Sequence, residues 1–106
     1  MEQSFTSKHA NDELGNPAGG HSEATGISID WQNGPLGRDE ERLESNGAFV
    51  ETVIAIAIDR LEYYQASRFN CRENALAITK LQEAIHWLNH RTRIREERGV
   101  EGTHTV

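Results

Sequence analysis

Four arginines, Arg91, Arg93, Arg95 and Arg98, crowd the end of a 106-residue chain whose formal net charge is −6. Arg91 and Arg95 are four apart, so on a helix they share a face, with Leu88 one turn before them. A guanidinium fork matches a phosphate, and charge-assisted bonds of this kind contribute ~1.5–3 kcal/mol each. Two forks above an apolar floor suit a diphosphate. A plainer reading stays open beside this one. Cations in a last helical turn face the negative pole of the helix, worth ~0.3–1 kcal/mol each. Glu96 and Glu97 also offer surface ion pairs of small value.

Other residue types join this list. Tyr63, Tyr64, Phe69 and Trp87 are candidates for stacking a nucleobase, although packing in a core or interface is the usual fate of aromatics. Asn74 has the donors and acceptor to read a base edge or a ribose hydroxyl; the alternative is a capping or turn role. His86 and His90, in HWLNH, have the i, i+4 spacing of a zinc pair. Residue 87 is Trp, however, not the Glu of the protease motif, and no third ligand is evident, so no metal site is assigned. Cys71 begins a helix, where a thiol pKa falls, but no base partner stands near it in sequence. GNPAGGHSEATG lacks the Gly-Lys-Ser/Thr of a phosphate-binding loop and follows no strand, so it is neither that loop nor a dinucleotide fingerprint. The tail GVEGTH reads either as a backbone nest for a phosphate or as a trailing end. No nucleophile–base arrangement argues for turnover; no catalytic residue and no cofactor is assigned.

These residues need elements to hold them. Residues 48–67 predict a helix, capped by Ser45 or Asn46, with Glu51 in its first turn. Ile54, Ala57, Ile58, Leu61 and Tyr64 form one stripe; Val53, Ile56, Arg60 and Tyr63 form a second. A second helix is expected from about Cys71 to Arg98, opened by a capping box of Asn70 with Glu73. Its apolar positions are Ala75, Ile78, Leu81, Ala84, Ile85, Leu88 and Ile94, and Gly99 fits the left-handed position after its end. Ahead of the helices, ISIDWQ alternates as a half-buried strand over 27–32. Asn33-Gly34 signals a tight turn, and Pro35 demotes any returning strand. Residues 36–47 read as a charged connector. Residues 1–24 read as a polar, Gly-rich segment of loop chemistry, with its first dozen residues expected to be disordered or to order on a partner.

The expected fold class is therefore α+β: a long antiparallel two-helix hairpin preceded by a small β-strand or ribbon, in a domain over residues 25–106. A two-helix hairpin buries its apolar faces poorly alone, so pairing with a second copy is the expected completion. Composition agrees. The apolar fraction is 36% and the mean hydropathy −0.69, values that leave little monomer core. Residues 1–45 carry three Lys/Arg against nine Asp/Glu, whereas the remainder carries eight of each. That balance excludes a broad basic face for long nucleic acid but not a pocket for a small anion. No run approaches a membrane span. The N-terminus has no apolar signal region, and the single cysteine, Cys71, permits no intrachain disulfide, so a cytosolic setting is expected.

Three strings carry a family likeness: ATGISIDWQNGPLG, NGAFVETVIAIAIDRLEYYQ, and FNCRENALAITKLQEAIHWLNHRTRIREERGVEGTH. Over residues 25–106 the chain resembles the phage Thoeris anti-defence proteins of the first type. These share a helical-hairpin domain with phage anti-CBASS cyclic-nucleotide sponges. The resemblance implies a non-enzymatic sponge acting in the cytoplasm of the infected bacterial host. Such a sponge would bind cyclic ADP-ribose isomers made by TIR proteins and hold them intact. It implies a homodimer, or a homohexamer built as a trimer of dimers, and cyclic di- or trinucleotides at a separate site. Carried over by the resemblance, the messenger pocket comprises Tyr64 or Tyr63, Asn74, Arg91 and Arg95. Tyr stands where the family pattern has Phe, which keeps the stacking face. Arg98, Gly102 and Thr103 are the candidates for the second nucleotide site. The alternative is a small oligomeric phage interaction protein whose hairpin blocks a host factor.

Overall fold

The computed structural model describes residues 1–106 in two compact units. Residues 1–49 and 100–106 form one unit, and residues 50–99 form the other. The break between the units falls at the start of the first helix.

The first unit is a three-stranded antiparallel meander: β1 (Thr6–Asn11), β2 (Pro17–Ala24) and β3 (Ile27–Trp31). The strand expected over 27–32 is present as β3, with Ile29 and Trp31 half-buried and Ile27 exposed. The loop reading of GNPAGGHSEATG is corrected, because most of it is the central strand. Pro17 sits at the first residue of β2, where its missing N–H costs least. Gly20 lies within the sheet, where the neighbouring backbone comes close: a Cβ there would lie 2.3 Å from the Lys8 carbonyl oxygen. β1, within the dozen residues expected to be disordered, pairs with β2 from Thr6↔Glu23 to Asn11↔Pro17. Its turn is built by Asp12, whose carboxylate accepts the N–H groups of Leu14 and Asn16, both at 2.9 Å, an Asx arrangement.

Polar bonds dominate this unit. The Trp31 Nε1–H donates to Ser22 Oγ at 2.8 Å, and Ser22 Oγ lies 2.7 Å from Ser7 Oγ. After β3 the chain does not return as a strand, as Pro35 implied. Asn46 is not a helix cap: its carboxamide accepts the Asn33 N–H and donates to the Asn33 carbonyl. The connector makes one 3-10 turn over Asp39–Glu41 and is pinned by the chain's end. The Gly37 N–H donates to the Gly102 carbonyl at 2.8 Å, Arg38 Nη1 to the Glu101 carbonyl at 3.0 Å, and Arg42 Nη1 to the Glu101 carboxylate at 2.7 Å.

The second unit is the expected hairpin, α1 (Val50–Gln65) and α2 (Arg72–Glu97). Half-buried Ile54, Ile58 and Leu61 repeat along α1, and Ala77, Ile78, Leu81, Ala84, Ile85 and Leu88 repeat along α2. Both sets follow helical spacing, so each helix presents one apolar stripe. Ile56 and Tyr63 of the second predicted stripe are 66% and 63% exposed. The cap of α2 falls one residue later than predicted. Cys71 Sγ accepts the Asn74 N–H at 3.4 Å, while Asn70 donates its amide to the Ser67 carbonyl inside the turn. Gln65 clamps the turn, donating to the Cys71 carbonyl at 3.0 Å and accepting the Cys71 N–H at 2.9 Å. Gly99, at φ 73°, ends α2 as expected, its N–H bonding the Glu96 carbonyl.

The fold class is α+β, a small antiparallel sheet followed by two helices. No side chain is fully withdrawn from solvent. No helix is long and apolar enough to cross a membrane.

Candidate ligand-binding site

α2 positions most of the predicted site residues, and it separates them into two groups. Asn74 is in its first turn; Arg91 and Arg95 are near its last. At 1.5 Å per residue, about 25 Å of helix lies between Asn74 and Arg91. The Gln65–Cys71 clamp ties the end of α1 to the start of α2, so Tyr63 and Tyr64 stand at the Asn74 end. One hairpin therefore carries an aromatic–amide pole and an arginine pole. It does not bring the four residues of the expected pocket together.

At the first pole, Asn74 is half-buried. The capping role considered for it is filled by its backbone N–H and Cys71 Sγ, and its carboxamide makes no hydrogen bond. Tyr63 and Tyr64 meet at 6.0 Å between ring centroids, tilted by 59°. Tyr64 is 37% exposed. Arg60, which the sequence placed only in a helical stripe, joins them. Its guanidinium carbon lies 4.9 Å from each ring centroid, and its Nε–H donates to the Tyr64 hydroxyl at 3.1 Å. That bond foremost, with the tyrosine oxygen's charge, raises the Arg60 pKa above its ordinary value. The signal for this cluster was present in the i, i+3 and i, i+4 spacing of Arg60 to Tyr63 and Tyr64.

At the second pole, Arg91 is exposed and Arg95 half-buried. Glu96 and Glu97 make no ion pair, so the surface pairing considered for this cluster does not hold Arg91. Arg93 turns to His90 Nδ1 at 3.5 Å. Trp87 is 66% exposed and meets His86 and His90 edge-on. The two histidine rings stack at 6.5 Å between centroids, 8° from parallel.

The residues expected at a second site fall in both units. Arg98 is the C-cap of α2. Gly102 and Thr103 belong to the first unit and are engaged locally. The Gly102 carbonyl takes the Gly37 N–H, and the Thr103 hydroxyl donates to the Val100 carbonyl. A Cβ on Gly102 would lie 2.3 Å from the Gly37 oxygen, so this glycine serves close backbone approach.

In the first unit, His21 is held between two carboxylates. Its Nδ1 is 2.7 Å from Asp30, and its Nε2 is 3.1 Å from Glu23. These bonds, Asp30's foremost, raise its pKa. Both ring nitrogens are occupied, so His21 is no free general base.

Residues 23–93 match the Acb2/Tad1 hairpin domain. The chain is also 54% identical over 77 residues to a protein named Thoeris anti-defense 1 from Bacillus phage SBSphiJ7. The matched stretch covers 73% of this chain and 51% of that relative, so the chain spans about half the relative's length.

Proposed function

The chain belongs to the Acb2/Tad1 hairpin-domain family, and on that premise we propose that it is a phage anti-defence protein that sequesters a nucleotide messenger without degrading it. The ligand class is cyclic ADP-ribose isomers made by bacterial TIR proteins in the cytoplasm of the infected host. Such a ligand carries an adenine and a diphosphate. The first pole offers a stacking face on Tyr64 and an uncommitted amide on Asn74; the second offers the Arg91 and Arg95 forks.

The separation of these poles carries the reading. Each pole supplies half of what the ligand requires, and ~25 Å of helix keeps them apart within one chain. An antiparallel second copy closes the gap. It sets the aromatic–amide pole of one hairpin against the arginine pole of the other, twice over by symmetry. The pocket then forms only in a homodimer, and three dimers make the hexamer. Exposed Ile56, Tyr63 and Trp87 supply apolar surface for such contacts. Capture without chemistry needs tight affinity and slow release rather than a general base. Cyclic di- or trinucleotides at a separate site belong to the same proposal, with Arg98 as the cation there.

The test is recovery of the ligand. The protein is mixed with TIR-made messenger, freed of excess, denatured by heat, and the supernatant chromatographed. Unaltered messenger in stoichiometric amount is the expected result. Conversion of excess messenger by a trace of protein would overturn sequestration in favour of catalysis. Failure of every cyclic nucleotide to raise the melting temperature would instead favour an interaction protein that blocks a host factor, because a tight ligand must stabilise the fold.

A further inference from the structure

We infer that Arg60 is a third anion-binding arginine of the proposed pocket, contributed by the same copy that supplies Tyr64 and Asn74. The inference rests on that reading of the pocket and adds a residue to it.

Three observations carry it. Arg60 is held at three points: its guanidinium carbon lies 4.9 Å from the Tyr63 centroid and 4.9 Å from the Tyr64 centroid, and its Nε–H bonds the Tyr64 hydroxyl at 3.1 Å. It is nevertheless exposed. And it makes no ion pair with any carboxylate, although Asp59 and Glu62 are its neighbours in sequence. An ordinary surface arginine either pairs with an acid or samples many rotamers. This one is fixed yet uncompensated.

The chemistry follows from the inventory of donors. Guanidinium has five N–H groups in a planar fork. Nε–H is committed to Tyr64, which leaves the four N–H groups of Nη1 and Nη2 for an acceptor. Tyr63 and Tyr64 restrain the fork beforehand, so less rotamer entropy is lost when an anion arrives. The ring contacts also tie the cation to the stacking face: an anion on Arg60 lies within one side chain's reach of a base on Tyr64. An adenosine diphosphate group has those two features next to each other. Arg60 would thus take phosphate from the adenine side, and the partner copy's arginines would take it from the other. A phenylalanine at 64 could not accept the Nε–H bond, so the tyrosine of this chain is what anchors the cation.

Calorimetric titration of the full chain with cyclic ADP-ribose, at several salt concentrations, tests this. Arg60→Gln is expected to weaken binding ~10–100-fold, the range for one charge-assisted bond. It should also flatten the salt dependence of Kd, because one fewer cation meets the ligand. Arg60→Lys should restore the salt slope and part of the affinity, since it keeps the charge and loses the fork. Tyr64→Phe should loosen Arg60 and cost less than Arg60→Gln while leaving the salt slope intact. If Arg91→Ala loses binding but Arg60→Gln keeps both the wild-type Kd and its salt slope, Arg60 is not a ligand residue and the pocket reading survives. If wild-type protein and every variant ignore cyclic ADP-ribose, ADP-ribose and the wider cyclic-nucleotide panel alike, the pocket reading falls and Arg60 with it. A purely structural Arg60 would lower the melting temperature on Arg60→Gln without altering the salt slope, and that pattern overturns the inference.

Discussion

Residues 1–49 with 100–106 are held chiefly by polar bonds: ladder pairs, Ser7 with Ser22, His21 with Asp30, and Glu101 with Arg38 and Arg42. Residues 50–99 are held by two apolar stripes and a clamped turn. Neither unit owns a buried core. The difference shows in where reactive side chains remain uncommitted. In the polar unit, the side chains of Ser22, His21, Asp12 and Asn46 are tied to structural partners. In the hairpin the stripes do the holding, and the Asn74 carboxamide, Arg91 and the outer face of Arg60 have no polar partner within the chain. A unit held by its apolar residues can leave its polar ones uncommitted.

The contrast can be broken from either side. The largest effect is expected from Gly20→Ala, which forces a Cβ to within 2.3 Å of the Lys8 carbonyl at a backbone φ of 141°. We expect about 3 kcal/mol of strain. It should be visible as lost amide protection across residues 6–24 with the helical circular dichroism unchanged. Equal loss of protection in both units would mean that they unfold as one, and the comparison would fail.

Next is Arg91→Ala, or Arg95→Ala, expected to weaken cyclic ADP-ribose binding at least tenfold to a hundredfold with oligomer size unchanged by native mass spectrometry. Arg93→Ala, already turned to His90, should bind as wild type. If Arg93→Ala were the damaging one, the arginine pole would be misplaced.

Leu81→Ala should then cost about 1.5 kcal/mol in thermal unfolding, below the range for a fully buried leucine because this one is only half-buried. A change confined to the sheet's amides would contradict the assignment of Leu81 to the apolar stripe.

The smallest effect concerns pH. His21 has its pKa raised by Asp30 and Glu23. A raised folded-state pKa stabilises below the unfolded value of about 6.5 and loses that contribution as pH climbs through the raised value. Amides of β2 and β3, corrected for base-catalysed exchange, should therefore lose protection between mildly acidic and alkaline pH. His21→Asn should abolish that dependence and leave the hairpin amides indifferent to it.

Legibility differed between the units in the same way. Both helices were readable because a 3.6-residue repeat of apolar side chains is local. Gly99 was readable for a local reason too. The caps slipped: Asn46 and Asn70 have capping chemistry, but one bonds Asn33 and the other Ser67. β2 was hidden because Pro17, Gly19 and Gly20 carry turn signals when only neighbours in sequence are weighed. The docking of the tail was hidden altogether, because its bonds, Gly37 to Gly102 and Arg38 to Glu101, join residues over sixty positions apart. Within the site, the shared face of Arg91 and Arg95 followed from spacing; spacing also put Arg60 beside Tyr63 and Tyr64, but the rotamer that aims it at both rings is decided by the fold.

By itself the sequence determined the hairpin, its turn and end, the acidic front and balanced rear of the chain, and the residue types fit for a base and a diphosphate. These follow from local periodicity and from side-chain chemistry, which need no fold to be read. Tertiary structure alone decided that Gly20 lies in a strand, that Gly102 is a docking point, and that the poles of the site lie at opposite ends of one helix. The physical reason is distance. Close backbone approach and separation along a rigid helix are properties of three-dimensional neighbours, and no spacing in the text of a chain records whether two halves of a pocket face each other or point apart.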